Sequence, residues 1–220
     1  PPEQNLELVN FQPGDVILLR SPNIFQRFFT GLGAGGEITH VGLVIMGKDG
    51  KTLQIAEVLG NNDGISFKSN PGPQFGVTIN PLQEVLPREH DQYNQELFLL
   101  PRRYPLRPES SKVLTAFAYN KEGGPYSSAG VAGPLLLSPR KNRPIITDAD
   151  SYMCSSFACA ALVTAGALPA DFNPPAFAPF DFYNPRRITI PSMMPARDAE
   201  NKIIMEKHWL TGKPTDKPVM

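Results

Sequence analysis

One-signed charge, histidine and cysteine are all scarce in this chain, and each shortage closes off a class of function. Lysine plus arginine equals aspartate plus glutamate, 21 against 21 in 220 residues, with a pI near 7.3. A nucleic-acid binder carries a basic excess as its footprint, so nucleic acid is not an expected partner. No run of about 18 apolar residues occurs, and no transmembrane helix is expected. Three histidines spread along the chain offer no zinc-ligand spacing, so neither a metal nor another cofactor is expected. The two cysteines, Cys154 and Cys159, lie five apart in an alanine-rich segment that reads as helix. An axial separation of about 7.5 Å on different helical faces excludes a disulfide between them. At least one is therefore core filler or a reactive thiol.

What is present fits one domain over residues 1–220, with residues 211–220 expected as a disordered tail. Hydrophobic residues make up 41% and charged residues 19%, enough apolar material for a core. Proline and glycine total 42 of 220 residues, short of the roughly 25–30% that marks low complexity. They punctuate a series of short elements. A chain that begins at Pro1 is expected to have lost something upstream, and compartment and oligomeric state stay open.

The turn Gln12-Pro13-Gly14 introduces a buried strand at Asp15–Arg20. Residues 23–30 have helical spacing and stop at Gly31. Gly31-Leu32-Gly33-Ala34-Gly35-Gly36 matches G-x-G-x-x-G, but a dinucleotide site needs a strand before it and a helix after it. The order here is reversed, and a flexible loop is expected. Runs at His40–Met46 and Thr52–Val58 flank Gly47-Lys48-Asp49-Gly50 and read as a β-hairpin. With four unpaired loop residues His40 faces Glu57 directly. With a two-residue Asp49-Gly50 turn His40 faces Leu59, and Glu57 is its diagonal neighbour. Either even-length loop puts His40 and Glu57 on one face; a three-residue loop separates them.

Short strands are expected at Ile65–Lys68, Gly76–Ile79 and Glu96–Arg102, and a serine-capped amphipathic helix at Ser110–Lys121. Residues 130–144 read as a long loop carrying the apolar patch Leu135–Leu137. Asp148–Ser151 supply N-cap residues for a buried helix from Tyr152 to Ala165 that stops at Gly166. From Phe172 the chain reads as irregular, with a last short element at Lys202–Leu210.

Cys154 falls within the first turn or so of the buried helix, where unpaired amides and the helix dipole favour a thiolate. A cysteine nucleophile also needs a base, itself oriented by a third polar group, and His40 with Glu57 supplies both. Each residue alone has an ordinary structural explanation. Cys159, deep in the helix, keeps its explanation as a small core residue.

Pro13-Gly14-Asp15-Val16-Ile17, then Thr39-His40-Val41-Gly42-Leu43-Val44, then Ala56-Glu57, and finally Tyr152-Met153-Cys154-Ser155-Ser156-Phe157 form an ordered set. It resembles the circularly permuted NlpC-type papain-like cysteine hydrolases, the YiiX-like group, in which histidine precedes cysteine. The resemblance runs from about Phe11 to Gly166. It implies an α+β fold: a small antiparallel sheet or half-barrel against a buried nucleophile helix, with one or two further helices. It implies Cys154 as nucleophile, His40 as general base and acid, and Glu57 as the residue that orients the ring. The Cys154 amide would supply part of an oxyanion hole, with Tyr126 and Ser155 as further candidates near the substrate. Ser156 and Ser127 depart from the family's pattern, which bears on specificity.

Three functions follow. The first is amide cleavage in a peptide, cell-wall peptide or isopeptide through a thioester acyl-enzyme. The second is lipid acyl hydrolysis or transfer with the same machinery, as in lecithin:retinol-acyltransferase-like proteins. Their Asn-Cys-Glu-His-like signature is replaced here by Met153-Cys154-Ser155-Ser156. The third is a catalytically silent module that binds a peptide or amino acid.

Overall fold

The computed structural model describes residues 10–21, 38–59, 76–102, 104–126, 151–183 and 208–209. The expectations for residues 23–36, 65–68, 130–144, 202–207 and 211–220 lie outside them.

Six antiparallel strands form one sheet in an α+β arrangement: β1 (Val16–Arg20), β2 (His40–Met46), β3 (Leu53–Leu59), β4 (Gly76–Pro81), β5 (Glu96–Leu100) and β6 (His208–Trp209). Their order across the sheet is β4-β3-β2-β1-β5-β6. The described helices are α1 (Leu82–Asp91), α2 (Pro108–Lys121), α3 (Cys154–Thr164) and the short α4 (Pro179–Tyr183).

The sheet is covered on both faces. Val16, Leu18, Val41, Leu43, Ile45, Ala56 and Val58 belong to a core shared with α2, α3 and α4, including Leu114, Phe157, Leu162 and Phe182. The alternate row, Ile17, Leu19, Val44, Ile55, Leu97 and Leu99, packs on Leu82, Val85 and Leu86 of α1. Burial on both sides is why β1 and β2 read as continuous apolar runs instead of alternating ones.

Helix α1 was not expected from the sequence. It has only three apolar residues and carries Pro87 within it. Proline removes one backbone hydrogen bond from a helix interior. The helix is held because Leu82, Val85, Leu86 and Glu89, at i, i+3, i+4 and i+7, bury one face against the sheet. Helix α2 starts at Pro108 in its first turn, without the expected serine cap: Arg107 is the N-cap and makes no side-chain capping bond. Proline suits that position, where its missing amide would be unpaired anyway.

Helix α3 begins two residues later than expected, at Cys154. Its N-cap is Met153, and the expected cap residues 148–150 lie outside the described residues. The Met153 amide donates to Ser156 Oγ at 2.9 Å. The other end stops as the sequence indicates. Gly166 has φ +67, its amide bonds Val163 O, and the Ala167 amide bonds Leu162 O, a Schellman closure. The segment after Phe172 is more regular than expected, with a 3-10 turn at Pro174–Ala176 followed by α4. Phe172, Phe177 and Phe182 stack through it, with successive ring centroids 5.7 and 4.7 Å apart.

Candidate active site

The hairpin that carries His40 and Glu57 is set by its turn. Asp49 Oδ1 accepts the amides of Lys51 and Thr52, and Oδ2 accepts the Thr52 hydroxyl. These bonds hold the Asp49 carboxyl below its usual range. The Gly47 amide then closes on Thr52 O at 2.7 Å, leaving an even-numbered loop. Met46 pairs with Leu53 and Gly42 with Glu57. Continuing that ladder puts His40 opposite Leu59, with Glu57 as its diagonal neighbour, which is the second of the two even-loop registers.

The diagonal is short enough for contact. His40 Nε2 lies 3.0 Å from Glu57 Oε2, with both side chains buried. Gly42, two residues along from His40, is the ladder partner of Glu57. Thr39 pins the start of β2: its amide and hydroxyl both bond Leu19 O, and its Oγ1 accepts the Ser21 amide.

Cys154 comes from the first position of α3, after an extended Met153 (φ −93, ψ 159). It lies close enough to the His40 ring to act on its charge, although the two residues are 114 positions apart along the chain. Burial works against a charged ring at His40. The charge and hydrogen bond of Cys154, then the hydrogen bond and charge of Glu57, outweigh it and hold the imidazole well above its ordinary pKa. These neighbours favour the charged form of the ring.

The remaining candidates fall differently. Tyr126 pairs with Tyr152 through an isolated parallel bridge, and the Tyr152 amide bonds Pro125 O at 3.2 Å. That places Tyr126 beside the strand of chain that enters α3. The Ser155 hydroxyl is committed to Phe177 O at 2.5 Å and the residue is fully buried. Its side chain thus ties α3 to the Phe177 segment instead of facing a substrate, a consequence of its place on the core side of the first turn. Cys159 is a free, buried thiol whose pKa burial pushes well up, with the Asp181 charge adding to it.

Sequence reasoning missed Glu89. It is fully buried on the inner face of α1 and lies near enough to Glu57 and His40 to feel both charges. The i, i+3, i+4, i+7 spacing from Leu82 is the signal that would have found it. Among the described residues no cluster of three or more histidine, cysteine, aspartate or glutamate side chains is arranged to hold a metal ion, and no helix is long and apolar enough to cross a membrane.

Neither a family model nor a curated protein sequence matches this chain. Among solved structures, the chain is similar to the crystal structure of the metalloprotein YiiX from Escherichia coli O157:H7, of DUF1105. Identity is 18%, the match covers 83% of this chain and 86% of that one, and the TM-score is 0.45. No residue role is taken from that likeness.

Proposed function

We propose that this protein is a cysteine-dependent hydrolase of permuted papain-like design that cleaves an amide bond, in a peptide, cell-wall peptide or isopeptide. One observation carries the reading: a thiol at a helix N-terminus, an imidazole and a buried carboxylate adjoin in series, with neighbours that favour the charged form of the imidazole. A structural histidine has no need of a sulfur on one side and a buried carboxylate on the other. In the chain order His40, Glu57, Cys154 the histidine precedes the cysteine, whereas in ordinary papain-like enzymes it follows, and this fits the permuted arrangement.

In the proposed reaction the Cys154 sulfur, with its proton on His40, attacks the substrate carbonyl carbon. The amide of Cys154, at the first turn of α3, faces the negative charge that develops on oxygen. Collapse breaks the C–N bond as His40 delivers its proton to the leaving amine, and a thioester remains on sulfur. His40 then takes a proton from water, hydroxide adds to the thioester carbonyl, and the acid leaves as the thiol is restored. Glu57 holds the ring by Nε2 throughout, so that Nδ1 serves the sulfur and the leaving group.

The test is intact-mass trapping of an acyl adduct on Cys154 with a panel of peptide, isopeptide and lipid-ester substrates. Amide substrates giving a transient adduct that Cys154→Ala and His40→Ala both abolish support the reading. Adducts from lipid esters alone would move the assignment to acyl hydrolysis or transfer. No adduct from either class, with slow and equal alkylation of both thiols, would make the site a binding groove.

A further inference from the structure

Glu89 has no place in the reaction just described, yet it is fully buried and sits against that machinery. Helix α1 packs on β3, β4 and β5. From β3, Ile55 lies in the row facing α1, while Ala56 and Val58 belong to the opposite core. Strand alternation therefore turns Glu57 toward α1. Thr78 of β4 pairs with Glu57 and shares its face.

The elements that meet here carry buried oxygens without hydrogen bonds. Glu57 Oε1, Thr78 Oγ1, Gln95 Oε1 and both carboxyl oxygens of Glu89 have no hydrogen-bond partner among the described residues. Buried polar atoms are ordinarily paired, and an unpaired carboxylate is costly to bury. The charged groups around Glu89 are few. Glu57 and His40 face it from the sheet, and β4 contributes no charged residue. Glu96 of β5 pairs with Arg20 in the opposite row from Leu97 and Leu99. On its own helix, Arg88 forms an ion pair with it, Nε standing 3.8 Å from Glu89 Oε1, while Glu84, His90 and Asp91 are exposed.

We propose that Glu89 is a positioning residue of the Cys154–His40–Glu57 site: buried on the face of α1 that packs on the strand of Glu57, it adds to or relieves, by gaining or losing a proton, the negative charge that Cys154 and Glu57 already place on His40. This deepens the hydrolase reading and rests on it for its consequence, but its test needs no substrate. Burial, and next the like charge of Glu57, raise the Glu89 pKa to about 7, against the opposing pull of His40 and Arg88. Below that point Glu89 is neutral and the ring is held by Glu57 and the sulfur. Above it a second carboxylate supports the imidazolium. The ion pair on which nucleophilic attack depends then persists to higher pH than one carboxylate sustains.

The experiment is an NMR titration of the His40 ring in wild type, Glu89→Gln, Glu89→Asp and Glu84→Gln, with the Glu89 carboxyl carbon followed in wild type. Removing one charge is expected to lower the His40 midpoint in Glu89→Gln by about half a pH unit or more, a threefold or greater loss of proton affinity. Glu89→Asp restores most of it, and Glu84→Gln, exposed on the same helix, leaves it unchanged. Identical His40 midpoints in wild type and Glu89→Gln would overturn the proposal. So would a Glu89 carboxyl titrating in the ordinary glutamate range, which is read in wild type whether or not the variants fold. A protein with shifted midpoints but no turnover would keep this inference and lose the hydrolase.

Discussion

Ser156 Oγ lies 2.9 Å from both the amide nitrogen and the carbonyl oxygen of Met153, accepting from one and donating to the other. One hydroxyl thus ties down the residue that introduces α3, and Cys154 is the next residue along. The first turn of the helix and the placement of the thiol share a single fastening. Ser156→Ala is expected to lower stability by about 1 kcal/mol, the ordinary worth of a helix N-terminal cap. Because fraying begins at that turn, alkylation of Cys154 should change by more than the unfolding midpoint suggests. Urea unfolding together with iodoacetamide kinetics checks this; an unchanged midpoint would mean the fastening contributes nothing.

The two thiols have opposite surroundings on one helix. Cys154 adjoins the His40 imidazole, whose charged form it favours. Cys159 is held in its thiol form by burial and by Asp181. Near neutral pH iodoacetamide should modify Cys154 at least ~100-fold faster than Cys159, which becomes available only when the helix opens. His40→Ala should erase most of that ratio. Peptide mapping after timed labelling gives both rates.

Taking His40 away leaves the Glu57 carboxylate buried with neither oxygen partnered. Breaking a buried pair from one side costs about 3–5 kcal/mol, and His40→Ala is expected in that range. The double variant His40→Ala/Glu57→Gln should recover a large part, with a coupling of about 1 kcal/mol or more in the cycle. The dependence on pH has a definite sign. The folded-state pKa of His40 is raised, so its contribution is fully present below the ordinary histidine value of 6.5 and is lost as pH rises through the raised folded value. The gap between wild type and His40→Ala should therefore be wider at pH 6 than at pH 10 in denaturant titrations. A gap that widens with pH would contradict the assignment.

Gly42 is restricted by packing against Ile55 on the neighbouring strand. A Cβ there would lie 2.3 Å from Ile55 Cδ1 and 2.7 Å from Cγ1, opposite Glu57 in the ladder. The clash is with the end of a side chain, so it can be relieved. Gly42→Ala should cost about 1–3 kcal/mol by overpacking, and Gly42→Ala/Ile55→Val should return part of it by removing Cδ1. Thermal unfolding of the two variants decides; equal losses would place the strain elsewhere.

Much of this arrangement was legible in the residues themselves. The hairpin signal at Gly47–Gly50 limited His40 and Glu57 to one face for any even loop, and Asp49 then selected the register. Gly166 marked the end of α3 because only a positive φ closes it. Other features depend on contacts that local pattern does not contain. The start of α3 was misplaced because Met153 has no capping side chain of its own and borrows the hydroxyl of Ser156, three residues inside the helix. Helix α1 was missed because Pro87 reads as a breaker, whereas burial of Leu82, Val85 and Leu86 outweighs its lost hydrogen bond. With α1 unseen, Glu89 could not be placed behind Glu57. The convergence of Cys154 with His40 is a long-range contact, and only the ordered motifs hinted at it.

Gly76, at φ +103, brings β4 against the turn that follows α2: a Cβ there would fall 2.0 Å from Gly124 O. The contact lets the Val77 amide bond Gly124 O and Val77 O accept from Gly123, both at 2.9 Å. β4 is the outermost strand on its side of the sheet, and exposed outer strands invite a second molecule to pair with them. Val77 has both backbone groups occupied, and Pro81, facing the same way by alternation, has no amide to offer. Ile79 is then the sole outward amide in the described strand outside this stitch. An intermolecular strand adding along this described edge would find one amide where it needs several.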